Sequence, residues 1–140
     1  MKAFKVVLDA NILIRAVLGT QVRALLIGHL EQTQFFAPLE AFEDARLYLP
    51  PLLVKRGRDA EQLLETLKWL EGLVTPVSPE VYTEFENRAR ARLMGRDEED
   101  WPYIALAMRL DAQIWTEDTD FFGIGMPVWK TDRIHLLWED

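Results

Sequence analysis

The run Phe4-Lys5-Val6-Val7-Leu8 is short, almost continuously apolar and rich in β-branched residues, and it passes directly into Asp9-Ala10-Asn11. A strand without polar alternation is buried on both faces, which is the pattern of a parallel sheet covered by helices. Parallel strands cannot be joined by a hairpin, so each must be followed by a crossover, usually helical. The remainder of the chain has to alternate strand and helix if the first strand is read correctly.

It does alternate. A helix is expected over residues 12–18, broken at Gly19-Thr20, with Thr20 capping a second helix that reaches residues 29–31 on the stripe Val22, Leu25, Leu26, Leu30. Residues 35–37 form a strand. Pro38 suits the first position of a helix whose apolar face is Leu39, Phe42, Ala45 and Leu49, and Pro50-Pro51 should end or kink it. Asp59 caps the next helix, with Leu63, Leu64, Leu67 and Leu70 inward and Gly72 as its stop. A strand over 73–77 precedes a helix from Ser78-Pro79-Glu80 to about Met94. Another helix runs from Glu98 or Glu99 to about Leu110, then a strand over 113–116. Residues 121–125 read as a loop or short helical turn, and 128–130 and 134–137 as one or two edge strands. This predicts one domain over residues 1–140, a three-layer α/β/α arrangement with a central, mainly parallel sheet. Its ligand site belongs at the C-terminal ends of the strands.

Composition narrows the chemistry. With 140 residues, 49% of them hydrophobic, the chain can bury a full core. The absence of cysteine excludes disulfides, thiolate zinc sites and cysteine nucleophiles, and fits a reducing cytoplasm. No apolar run is long enough to span a bilayer, and the start of the sequence lacks the apolar core of a signal peptide, so a soluble cytoplasmic protein without membrane partners is expected. A net charge of −7 argues against a simple nucleic-acid-binding module, whose affinity comes from Lys and Arg. It argues less against a nuclease in which metal offsets the carboxylates. The clusters Arg88, Arg90, Arg92, Arg96 and Lys55, Arg56, Arg58 read as solvated helix surface. His29 and His135 are not spaced as a zinc pair, and His29 reads as helix surface. No phosphate-binding glycine motif is present, and the five Trp residues read as packing.

The acids are what remains. Asp9 stands at the end of the first strand, where it also suits a helix N-cap, and Asn11 is placed to steady the same turn. Glu43 and Asp44 share the helix after the second strand but point about 100° apart. Asp100 precedes Trp101-Pro102 at a helix start, with Asp97, Glu98 and Glu99 beside it as electrostatic caps. Asp118 and Asp120 follow the strand over 113–116, beside Thr116. Carboxylates converging without cationic partners repel one another, and a hard cation such as Mg²⁺ or Mn²⁺ relieves that repulsion. The strand-end segments themselves contain no Lys or Arg.

Taken in order, Val7-Leu8-Asp9-Ala10-Asn11, the Glu43/Asp44 helix, Asp100 with Ala105-Leu106-Ala107-Met108, and Thr116-Glu117-Asp118-Thr119-Asp120-Phe121 resemble a PIN domain, specifically the stand-alone bacterial VapC-like toxin subgroup. The resemblance covers nearly the whole chain. It implies a Mg²⁺- or Mn²⁺-dependent ribonuclease, a homodimer, and an antitoxin protein as partner. It implies a site in which Asp9, Asp100 and Asp118 match the first, third and fourth acids. The second is Glu43, by the family's preference for Glu, or Asp44, by its spacing from Pro38. Asp120 and Asp97 are auxiliary, and Asn11 and Thr116 support. Two alternatives are a catalytically inactive scaffold of the same fold and a metal-dependent phosphatase acting on small phosphate esters.

Overall fold

The computed structural model describes residues 2–139. Five strands, β1 (Phe4–Leu8), β2 (Thr33–Pro38), β3 (Val74–Val77), β4 (Gln113–Trp115) and β5 (Val128–Trp129), form one sheet in the order β3-β2-β1-β4-β5. Every pairing is parallel. The apolar run that opens the chain is the central strand, and Val6, Val7 and Leu8 are fully buried. From β1 the chain steps to β2 and β3 on one side, then crosses back to β4 on the other. The gap between the ends of β1 and β4 is therefore the topological switch point, where open parallel sheets bind ligands.

Helices cover the sheet. The first half contributes α1 (Ala10–Leu18), α2 (Gln21–Gly28), α3 (Leu39–Lys55) and α4 (Ala60–Leu70). The crossover back contributes α5 (Glu86–Arg92) and α6 (Trp101–Leu110), and α7 (His135–Trp138) closes the described chain. α6 packs across β1, β2 and β4, and α1 against α3. The layers are α/β/α, as the alternation requires. No single helix is long and apolar enough to cross a membrane.

Several local expectations fail for identifiable reasons. Thr20 precedes α2 but makes no side-chain cap, and α2 stops at Gly28. The junction is held instead by Arg23, whose guanidinium donates to the carbonyls of Ala16 (3.0 Å) and Val17 (2.8 Å) at the end of α1. Pro50 and Pro51 do not end α3; they lie inside it. The carbonyls they leave without helical donors, on Arg46 and Leu47, belong to exposed residues within reach of water. Leu49 and Leu53, both fully buried, hold the second half of the helix on the core.

The helix expected over 78–94 is broken into two 3-10 turns and α5. Tyr82 sits between them in a non-helical conformation, with its ring buried 5.8 Å from that of Trp101. The segment 134–137 is not a strand. Ile134 leads into α7, and Trp138 four residues later packs edge-on against Phe35 and Trp115, with its Nε1–H donating to Thr33 Oγ1 at 2.7 Å. His29 stacks on the same indole at 3.7 Å, so it is not a free surface histidine.

Candidate metal centre

Leu8 and Trp115 are paired in the β1–β4 ladder, so the next residues of each strand, Asp9 and Thr116, meet at the switch point. Asp9 is only 5% exposed. Its Oδ1 accepts from the backbone N–H of Ile12 at 3.0 Å, which makes it the N-cap of α1, and its Oδ2 accepts from the hydroxyl of Thr116. The two readings of Asp9, cap and site residue, are compatible because each uses a different oxygen. Thr116 is fully buried, and its Oγ1 in turn accepts from the N–H of Asp118 at 2.9 Å. One hydroxyl thus ties the strand-end acid of β1 to the turn after β4. Thr116→Val is expected to cost about 1–3 kcal/mol, because Asp9 Oδ2 and the Asp118 N–H both lose their partner. Urea unfolding checks this, and Thr116→Ser should recover most of the loss.

The turn after β4 sorts its acids. Glu117 points away toward β5, where it accepts from the N–H of Thr131 at 2.8 Å and faces Lys130. Burial raises the Glu117 pKa, but hydrogen bonds from Thr131 and the charges of Arg15 and Lys130 outweigh that and leave it lowered. Asp118 stays on the Asp9 side and caps a 3-10 turn, with Oδ1 accepting from the N–H of Asp120 at 2.9 Å.

Asp100 arrives from the other face of the sheet. It stands at the N-cap position of α6 yet makes no side-chain cap. Asp97 takes the capping role in the preceding turn, accepting from the N–H of Glu99 at 3.1 Å. Asp100 is therefore free of the structural duty its sequence position suggested. Burial pushes its carboxyl up to about 7, with the charges of Asp97, Asp118, Asp9 and Asp120 adding to the rise. Burial likewise lifts Asp9 to about 6, against the hydrogen bonds from Thr116 and Ile12 and with the charge of Asp118. Three distant segments thus bring mutually repelling carboxylates together.

On α3, Asp44 and Glu43 diverge as helical geometry requires. The charge of Asp44 reaches the buried phenol of Tyr103, which also feels Asp9, whereas the charge of Glu43 reaches Tyr82. Burial and these carboxylates push the Tyr103 phenol well above its ordinary value. Glu40 was passed over in the sequence. It lies one turn before Asp44 on the same face, and burial together with the charges of Asp44, Glu43 and Glu99 raises its pKa. Burial and Glu43 raise Asp44. The four-residue spacing of Glu40 and Asp44 was the available signal. Asn11 is exposed on the first turn of α1, beside Asp9.

Among the described residues, none of Asp9, Asp44, Asp100, Asp118 or Asp120 is in an ion pair. An all-oxygen, uncompensated donor set of this kind fits a hard divalent cation. It is not preassembled: among the described residues, no three His or acidic side chains stand close enough to hold one ion.

A family model for the PIN domain matches residues 7–139 of the sequence. The chain belongs to the PIN domain family. No curated protein matches it. Solved PIN-like structures share its fold at low identity. VapBC2 from Rickettsia felis, solved bound to a DNA fragment from its promoter, is 12% identical, with a TM-score of 0.70 over 91% of this chain and 98% of that one. PAE2754 from Pyrobaculum aerophilum is 16% identical, with a TM-score of 0.69 over 98% and 92%. A toxin–antitoxin complex from Klebsiella pneumoniae is 16% identical, with a TM-score of 0.67 over 90% and 97%.

Proposed function

We propose that this PIN domain is a ribonuclease dependent on Mg²⁺ or Mn²⁺ and the toxin of a VapBC-type pair. The observation that supports the reading is that Asp9, Asp100 and Asp118, from three distant segments, feel one another's charge, while among the described residues no cationic side chain is paired to any of them. When bound, a divalent cation supplies the charge neutralisation and water activation that phosphodiester hydrolysis needs. The residues do the rest. Asp9 is held in one orientation by Thr116 and the start of α1. Asp118 is positioned through the same hydroxyl, and Asp100 offers a carboxylate with no competing hydrogen bond from its own helix end. Asp120 and Asp97 add negative field, and Asn11 is placed to orient substrate or water.

For the second acid we favour Asp44, for its spacing from Pro38 and its place beside the apolar stripe of α3. Asp44→Asn is expected to lower cleavage at least tenfold, and Glu43→Gln less than threefold (order-of-magnitude figures). The reverse ranking would reassign the position to Glu43.

The direct assay is incubation of the purified chain with a labelled RNA pool and Mn²⁺. Cleavage is expected; Mn²⁺ binding with every RNA left intact would point to a non-enzymatic role. A protein antitoxin and a homodimer are part of the proposal. The toxin–antitoxin complex of the same fold supports the antitoxin, and the exposed apolar side chains Leu47, Tyr48, Leu52 and Val54 along α3 offer surface for either partner.

A further inference from the structure

Arg88, Arg92 and Arg96 recur at every fourth residue, and the last two reach the loop after β4. Arg96 Nη1 donates to the carbonyls of Asp120 (2.8 Å) and Phe122 (2.7 Å). Arg92 Nη1 donates to those of Ile124 (2.7 Å) and Gly125 (3.4 Å). The Gly123-Ile124-Gly125 segment serves this stapling. Both glycines have φ of 82°, and a Cβ at Gly125 would fall 2.6 Å from Arg92 Nη1. Two of the arginines read as solvated surface are therefore structural staples.

Arg88 is different. Among the described residues it makes no ion pair, and its guanidinium lies over the ring of Phe85, 5.4 Å from the centroid. Arg88 and Arg92 line a cavity of about 550 Å³ together with Phe85, Met108 and Met126, and Asp111 is its one carboxylate. The cavity lies at the far end of α6 from Asp100. Eleven residues at about 1.5 Å each put it roughly 16 Å from the acids.

In a chain of net charge −7, two guanidinium groups against one carboxylate make a locally positive hollow. Arg92 has spent only Nη1 on the loop; a guanidinium has five N–H donors in a fork that matches phosphate. The ring of Phe85 and the planar guanidinium of Arg88 near it, beside two polarisable thioethers, suit the face of a nucleobase. Phosphate donors and a stacking platform in one cavity describe a nucleotide.

We infer that this cavity is a nucleotide subsite. It takes one phosphate and base of the RNA strand a few nucleotides from the bond cleaved at the acids. The assignment rests on the ribonuclease reading for its substrate, but its test does not require cleavage. Binding of a fluorescein-labelled RNA of about 12 nucleotides to the purified chain is followed by anisotropy in EDTA across a salt series. Arg88→Ala is expected to weaken binding about 5–10-fold and to reduce the salt slope by about one. Arg88→Lys should keep the slope and recover part of the affinity. Photocrosslinks from 4-thiouridine RNA should map to the peptides of Phe85 or Met108 and fade in Arg88→Ala. Equal melting curves for the variants exclude a folding defect, since Arg88 supports no backbone group. Unchanged affinity and slope in Arg88→Ala, or no RNA binding by the unmodified chain, overturns the subsite. Weakened binding by Arg88→Ala in a chain that cleaves no RNA supports the subsite and defeats the ribonuclease reading. Cleavage with unaltered Arg88→Ala binding does the opposite.

Discussion

Asp100→Asn is expected to reduce metal-dependent RNA cleavage by about 10²–10³-fold while making the metal-free chain more stable at pH 7.5. The two effects have one cause. Burial and the neighbouring acids make a charged Asp100 unfavourable, as its rise to about 7 records. Asn keeps the volume and removes the charge, and no cap is lost because the Asp100 side chain makes none. Allowing for the water that still reaches the group, the gain is about 1–2 kcal/mol, or roughly 3–6 °C in Tm. Asp9→Asn should abolish cleavage equally but stabilise little. An asparagine there has one acceptor oxygen where Asp9 uses two, so either the Ile12 N–H or the Thr116 hydroxyl loses its acceptor. An Asp100→Asn chain that cleaves like the parent removes Asp100 from the site. A chain that neither cleaves nor gains stability makes Asp100 a structural residue.

Removing divalent metal should be as damaging to activity as removing Asp100, and its effect on stability should depend on pH in a defined direction. Burial and the neighbouring acids push the Asp9 and Asp100 carboxyls up to about 6 and about 7, well above the ordinary carboxylate range. Between that range and these values the native state binds more protons than the unfolded state, so stability falls as pH rises. In EDTA the chain should therefore be more stable near pH 5 than near pH 8. Added Mn²⁺ should reverse the order, because it binds the deprotonated carboxylates and stabilises the native state by mass action. Below saturating metal, cleavage should fall at least tenfold per pH unit on the acid side of about pH 6. Thermal melts at the two pH values, with and without Mn²⁺, check the sign. Greater stability at pH 8 than at pH 5 in EDTA would show that the carboxylates are compensated by something other than metal.

The parts of the fold that could be read from the sequence are those where one residue type has one solution. Val6-Val7-Leu8 had to be a buried parallel strand, and its direct passage into Asp9 put that acid at the strand's C-terminal end. Asp59 caps α4 as its position required, accepting from the Glu61 N–H. What was misread depended on contacts distant in sequence. Pro50 and Pro51 remain helical because Leu49 and Leu53 are buried by other elements. Tyr82 breaks a helix in order to pack near Trp101, and Trp138 turns an expected strand into a helix by reaching Thr33. Among the candidate acids, Asp9, Asp100 and Asp118 can be proposed from the sequence by their place beside strands and helix starts. Glu40 cannot, because an acid in the first turn of a helix is ordinary for the helix dipole. Only folding shows that its neighbours are other acids. The division of labour between Glu117 and Asp118 was equally hidden, since it depends on where β5 places the Thr131 N–H.

The measurement that tests the central claim most directly is anomalous diffraction from a crystal of this chain soaked in Mn²⁺. The account predicts a manganese peak at the switch point between β1 and β4, within coordination distance of carboxylate oxygens of Asp9, Asp100 and Asp118. A fully soaked crystal with no peak there, or with manganese held only by other residues, would contradict it.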